Sequence, residues 1–398
     1  MIPGLYFTYG VFVAFTTMNA LRRPSSPRSR FPTIWVLGML DGELPALAVV
    51  SRAFVSAGAG ALGAFDDPVG RTGLWLVAAS ILGIPVLAAR TYRAGRALAA
   101  LVDTDPPRPN GWTGALGWSR RLPRDLEVVG PFQVADDVSI HFYRRRVAHH
   151  APAPVLLYVH GGSWTGGDPH TQSRPLLHHL AARGWLVATT TYPLSPDATF
   201  PDHLIGVKRA IDWLRRNVAD HGADPQRIAI AGASAGGHLA ALAALTAHRS
   251  NYQPGFEDAD TSVAACVSLY GIYDFLNRHH TRRNWPLIPR VVMKADPRLD
   301  RERFHAASPI DQVAPDAVPF LVIHGRHDSL VPPAEARVFV EALRAVSENE
   351  VQYVEIEGAQ HAFDAVESRR SRLAAAVAAE FLESHLAVPA PDGPVRRY

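Results

Sequence analysis

Cysteine is almost absent from this chain. A single one, Cys266, stands in the apolar run 263–270 of a 398-residue sequence. One thiol forms no internal disulfide, so the fold does not depend on oxidation, and the apolar setting reads as a small core residue. Charge is also scarce: 19% of residues are charged against 47% hydrophobic, more apolar than an ordinary soluble enzyme. The formal net charge of +3 is too small to argue for a nucleic-acid partner. The basic residues are nearly all arginine, and there is no internal repeat. The pairs His149-His150, His178-His179 and His279-His280 have no further ligands at fixed spacing, so the sequence calls for no metal and no cofactor.

The apolar excess sits at the front. Residues 2–21 carry no charge and are long enough to cross a bilayer; Arg22, Arg23, Arg28 and Arg30 follow. A secretory signal would carry its positive charge ahead of the apolar run, so this order points to a retained membrane helix. A second run, 33–51, is interrupted by Asp41 and Glu43, each costing about 2.5–3.5 kcal/mol at mid-bilayer. Those acids are expected to pair with an arginine such as Arg52 or to face other helices. A third run, 72–89, is uncharged and precedes Arg90, Arg93 and Arg96. The competing reading is a set of buried cap helices. Because short basic flanks stay cytoplasmic, the expectation is a multi-pass region of three crossings with the remainder of the chain in the cytoplasm.

The expected organisation is a helical membrane-anchoring region at 1–102, a Pro/Gly-rich linker at 103–124, a catalytic domain at 125–390 and a tail at 391–398. Within the catalytic domain, 126–132 and 138–143 alternate as strands, while 155–159, 186–191, 228–231, 263–270, 320–323 and 351–356 are short apolar or β-rich runs. Helical patterns at 175–183, 201–218, 239–245, 334–346 and 372–386 lie between or after them. Alternating strands and helices give an α/β fold with a mostly parallel sheet flanked by helices, preceded by the α-helical membrane region. Ligands in such sheets bind beyond the carboxyl ends of the strands.

Chemistry-bearing residues stand at those ends. The strand 228–231 meets Gly232-Ala233-Ser234-Ala235-Gly236 and then an Ala/Leu-rich helix, a strand–turn–helix that would expose Ser234 at its apex. A plain strand–helix turn can carry the same five residues, so the other strand ends decide. His160-Gly161-Gly162-Ser163-Trp164 follows the strand 155–159, Asp328 follows 320–323, and His361 follows 351–356. His361 can take the proton of Ser234, and Asp328 can hold the imidazole in the required tautomer. The glycine pair offers unhindered N–H groups to an oxyanion. Asp274 and Asp311 are rival acids, but neither directly follows the strand before the histidine loop. Trp164, Tyr192, Tyr270 and Phe363 are candidates for an apolar substrate pocket. Residues 275–303 read as a lid.

Jointly these motifs resemble the hormone-sensitive-lipase-like branch of the α/β-hydrolases, the carboxylesterases and lipases, over about residues 126–386. His160-Gly161-Gly162-Ser163-Trp164 resembles its oxyanion motif, with Ser163 replacing the third glycine. Tyr192-Pro193-Leu194-Ser195-Pro196 resembles its Tyr-Arg-Leu-Ala-Pro element, with Pro193 replacing the arginine. The resemblance implies an oxyanion hole from the N–H groups of Gly162, Ser163 and Ala235. It also implies a serine esterase or lipase acting through an acyl-enzyme on a small-molecule or lipid ester beside membrane lipids. Two alternatives remain: a formamidase or peptidase using the same three residues on an amide, and a binding module that has lost activity.

Overall fold

The computed structural model describes residues 1–22, 34–103, 122–147, 151–283 and 285–386. Arg23, Arg28, Arg30, His149, His150, most of the expected linker and the 391–398 tail lie outside the described residues.

Eight strands form one sheet: β1 (Leu126–Ala135), β2 (Val138–Arg145), β3 (Ala153–Val159), β4 (Leu186–Thr190), β5 (Ala223–Ala233), β6 (Cys266–Leu269), β7 (Phe320–Gly325) and β8 (Val351–Ile356), in spatial order β1-β2-β4-β3-β5-β6-β7-β8. The β1–β2 and β2–β4 pairs are antiparallel, and every other pair is parallel. The strands β3, β6 and β7 are buried on both faces, which is why they read as continuous apolar runs rather than alternating ones.

On one face α6 (Asp202–Asn217), α7 (Ala235–Leu245) and α9 (Ala334–Val346) build a core with Leu157, Ile230 and Val322. On the other, α5 (Arg174–Ala182) and α10 (Arg369–Leu386) pack on Leu156, Ala231 and Ile323. A short helix, α8 (Arg301–Ala306), closes the segment before β7.

The front of the chain forms α1 (Ile2–Leu21), α2 (Trp35–Glu43), α3 (Pro45–Ala61) and α4 (Pro68–Ala99). Helices α1 and α4 lie parallel along a seam of small residues. A Cβ on Gly10 would stand 2.6 Å from the carbonyl oxygen of Gly73, and one on Gly83 would stand 2.6 Å from Thr17 Cγ2. Such close approach of backbones is how helices associate where apolar burial gives no driving force. Helix α3 runs back antiparallel, tied by Tyr6–Ser56 (2.6 Å) and Arg52–Thr16 contacts.

Among the described residues, only α4 is by itself long and apolar enough to cross a membrane. The three-crossing expectation is corrected accordingly. The run 33–51 is not one continuous helix: the chain breaks at Leu44 and turns by 99° into α3. Pro45 is the physical reason, since proline disfavours helical conformation in the residue before it. Asp41 is buried against Arg52 at 2.6 Å and accepts from Thr16 and Thr17.

Glu43 reaches the rest of the molecule. It pairs with Arg370 at 2.5 Å and accepts from Ser368 Oγ at 2.7 Å. Arg370 also donates to Thr91 Oγ1 (2.8 Å) and to the carbonyls of Gly42 and Gly358 (3.3 Å each). Farther along, Arg93, Ala94, Ala97 and Leu98 of α4, with Leu101 just after it, line a cleft whose other wall is residues 353–357 at the end of the outermost strand β8.

Candidate active site

The sheet brings the strand-end residues to one edge. Ser234 sits between β5 and α7 with φ +55° and ψ −118°, a conformation that a non-glycine residue keeps only when its surroundings impose it. The surroundings are Gly232 and Gly236. A Cβ on Gly232 would lie 2.2 Å from the Gly236 carbonyl oxygen, and one on Gly236 2.0 Å from that of Val159. Strand and helix therefore touch backbone to backbone. Ser234 N–H donates to Leu269 O at 2.9 Å, fixing the turn to β6.

Ser234 Oγ lies 2.9 Å from His361 Nε2, and His361 Nδ1 lies 2.6 Å from Asp328 Oδ2. Asp328 is fully buried and its Oδ1 accepts the N–H groups of Leu330 (2.9 Å) and Val331 (2.8 Å). Burial alone would raise its pKa. The neighbouring His361 and hydrogen bonds from His324 and His361 outweigh that and hold the carboxyl down at about 2. The rivals are engaged elsewhere: Asp274 and Asp311 both bind Arg278, at 3.2 and 2.7 Å.

The loop after β3 passes beside the serine. A Cβ on Gly161 would meet Ser234 Cβ at 3.1 Å, and Gly161 N–H donates to Gln172 Oε1 at 2.7 Å. Gly162, Ser163 and Trp164 take φ of +132°, +58° and +60°, and the Gly162 carbonyl turns away to accept from Thr165 and Gly166. Ala235 N–H is a first-turn donor of α7, without an intrahelical partner. The N–H groups of Gly162, Ser163 and Ala235 thus belong to segments meeting at Ser234. His160 stacks on Tyr192 at 4.5 Å, and its carbonyl accepts from the tyrosine hydroxyl at 3.1 Å.

Trp164, Tyr192, Tyr270 and Phe363 are each 0–2% exposed. Tyr270 packs edge-on to His361, with ring centroids 4.7 Å apart, and against Phe363. Trp164 donates through Nε1 to His238 Nδ1 at 3.2 Å, and His238 Nε2 meets Ala307 O at 2.8 Å. The expected lid segment lies against these residues: Phe275 stacks on His238 at 4.4 Å, and Arg282 is buried against Glu335 at 3.0 Å. His279 and His280 are exposed.

Several supporting residues were not singled out from the sequence. Asp364 is buried behind His361 and bonded to the hydroxyls of Tyr270 and Ser173; Ser173 in turn bonds Tyr158 at 2.7 Å. Burial raises the Asp364 pKa, partly offset by those hydroxyls. Its signal in the sequence was its place three residues after His361. Gln172 gave none.

This fold and this site define an α/β-hydrolase, and the comparisons with known proteins agree. Residues 141–343 match the BD-FAE family, and the chain belongs to it. It is 38% identical to the probable carboxylic ester hydrolase LipM of Mycobacterium tuberculosis, over 93% of this chain and 90% of that protein. It is 42% identical to esterase LipC of the same organism, over 70% of this chain and 69% of that protein. A solved carbohydrate esterase from gut microbiota, in truncated form, aligns with a TM-score of 0.58 at 21% identity, over 67% of this chain and 99% of that one, which bears on the fold alone. The protein is a carboxylic ester hydrolase.

Proposed function

We propose that the chain hydrolyses acyl esters through an acyl-enzyme on Ser234, from a catalytic unit at 125–390 anchored to a membrane by residues 1–102. The hydrogen-bonded chain Ser234–His361–Asp328 carries the chemistry. His361 Nε2 takes the Ser234 proton as Oγ attacks the ester carbonyl carbon, and Asp328 stabilises the imidazolium that forms. The N–H groups of Gly162, Ser163 and Ala235 receive the oxyanion, worth about 3–4 kcal/mol per donor in comparable sites. Collapse breaks the ester C–O bond, and the alcohol leaves with the proton from His361. Water then attacks the acyl-enzyme, again giving its proton to His361, and the acid departs from Ser234 Oγ. A fluorophosphonate probe and a short-chain p-nitrophenyl ester test this: a burst and labelling of Ser234 support it, and labelling of another serine sinks it.

The anchoring reading rests on the surface of α1, α3 and α4. Leu5, Phe54, Trp75 and Leu82 are 64, 79, 75 and 77% exposed, and Phe12 and Met18 about half. Such continuous apolar exposure marks an interaction surface, and the small-residue seam beneath it suits lipid surroundings. Arg22, Arg93 and Arg96 are exposed where the helices reach the catalytic unit. Short basic flanks remain cytoplasmic, which puts the catalytic unit on that side. A reporter active only outside the cytoplasm, fused to the C-terminus, should stay silent; a strong signal reverses the orientation.

A further inference from the structure

The direction in which the helical unit leaves the catalytic unit fixes which way the active site faces. Ser234, Asp328 and His361 follow parallel strands, so they share the carboxyl edge of the sheet. Gly358 follows β8 at that same edge. The helical unit is clasped there: Arg370 joins Glu43, Gly42 O, Thr91 Oγ1 and Gly358 O in one buried knot. A Cβ on Gly358 would stand 3.6 Å from Arg90 Cβ.

From that knot α4 runs alongside α10 toward the opposite edge, Gly95 against Arg369 and Asp103 N–H bonding Glu380 at 3.1 Å. Its other portion, from Thr91 back to Pro68, must therefore project beyond the carboxyl edge, by about 35 Å at 1.5 Å per residue. This is the portion that exposes Trp75, Leu82 and Val86. The polar boundary of the helical unit falls at the knot: Arg90 donates to the last carbonyl of α1, Leu21 O, at 2.9 Å, with Arg22 and Arg93 beside them. Helix α2 ends at this level and exposes Val36 and Leu40 at 47 and 44%. Residues of this kind, apolar outward at the level of an arginine band, sit at a headgroup layer.

The headgroup layer and the catalytic edge are then at one height. Ser234 lies three strands in from β8, a lateral distance of about 14 Å at 4.8 Å per strand. Resting on the esterase and anchoring readings above, we propose that the catalytic edge faces the bilayer. Its substrates are acyl esters resident in the leaflet, entering sideways from the lipid rather than from bulk water.

The test uses the full chain reconstituted in phosphatidylcholine vesicles. p-Nitrophenyl palmitate is placed either in the enzyme's own vesicles or in separate vesicles at equal total amount. A shared leaflet raises the effective concentration of the ester, so its turnover should exceed that from separate vesicles on the order of 100-fold. Water-soluble p-nitrophenyl acetate should show no difference between the two preparations. Equal palmitate rates from both pools, with the enzyme floating with its vesicles and hydrolysing the acetate, overturn this inference alone. Release of the protein by alkaline carbonate overturns the anchoring reading and the inference with it. Vesicle-bound protein that hydrolyses neither ester overturns the esterase reading instead.

Discussion

The carboxylate of Glu43 and the guanidinium of Arg370 meet at 2.5 Å with about 1% of either side chain exposed, though 327 positions separate them in the chain. Two charges removed from water in this way stabilise each other only as a pair. Arg370→Leu strands the Glu43 carboxylate and should cost about 3–5 kcal/mol. The double variant Glu43→Leu/Arg370→Leu should recover most of that loss, since a buried pair replaced by apolar groups is often nearly neutral. Thermal unfolding in detergent reads both; a double variant less stable than Arg370→Leu contradicts the account.

Ser234→Ala and Asp328→Asn should differ in degree. Loss of the nucleophile should lower kcat by about 10⁶, leaving far-ultraviolet circular dichroism unchanged. Asp328→Asn keeps a group of the same size beside His361 Nδ1 but favours the wrong tautomer, for a loss of about 10⁴. Steady-state hydrolysis of a short-chain ester measures both, and an Asp328→Asn enzyme within tenfold of the parent would remove Asp328 from the mechanism.

On the proposed mechanism, His238 acts through Trp164. Its Nδ1 accepts from the indole, and its Nε2 faces the Ala307 carbonyl, a donor's position. This pins the residue after Ser163 in its left-handed conformation. His238→Phe fills the space but releases the indole, so the oxyanion donors lose alignment. The expected fall in kcat is about 10- to 100-fold with little change in KM, somewhat less than deleting a donor outright. A change confined to KM would place the residue in substrate binding instead.

Acid should unfold the protein earlier than its surface charge suggests. Burial holds the imidazoles of His238 and His203 down to about 3 and about 4. In an unfolded chain each titrates near about 6.5. Below that value the unfolded state takes up protons that the folded state refuses, so stability falls as pH falls from about 6.5 toward 4, by up to about 1.4 kcal/mol per pH unit for each group. Asp328 adds a later loss in the same direction, below its unfolded value of about 3.9 and through about 2. Melting temperatures measured from pH 7 to 4 should decline, and His203→Asn should flatten the slope; a flat parent profile refutes it.

Two of the strand ends were legible because β3 and β7, buried on both faces, betray themselves as unbroken apolar runs, with His160-Gly161-Gly162 after the one and Asp328 after the other. The Ser234 turn was legible because two backbone contacts near 2 Å leave room only for Gly232 and Gly236. Strand lengths were less so: β5 begins at Ala223, ahead of the apolar run, because Ala223 already pairs with Ala153 of β3 before an irregularity carries the polar residues 224–227 out of register and pairing resumes at Ile228. The break at Pro45 was written in the sequence but lost within an apolar run. The partner of Glu43 and the hydroxyls around Asp364 could not be read, since only folding brings Arg370, Tyr270 and Ser173 to them. Arg52 could be, because its partner Asp41 lies on the neighbouring helix.

The outermost strand, β8, has the sequence Val-Gln-Tyr-Val-Glu-Ile, with neither proline nor lysine to discourage a stranger from adding to it. What stands beside it is the last part of α4, set there by a segment far upstream in the chain. The helical unit thus also screens this edge of the sheet. A fragment trimmed to residues 122–386 loses that screen and bares the apolar side chains Val354 and Ile356 beside an open hydrogen-bonding edge. Such a fragment keeps Ser234, Asp328 and His361 but acquires a means of sticking to its own kind, so it should aggregate more readily than the full chain. Cutting away the proposed tether therefore calls for repairing the strand edge as well.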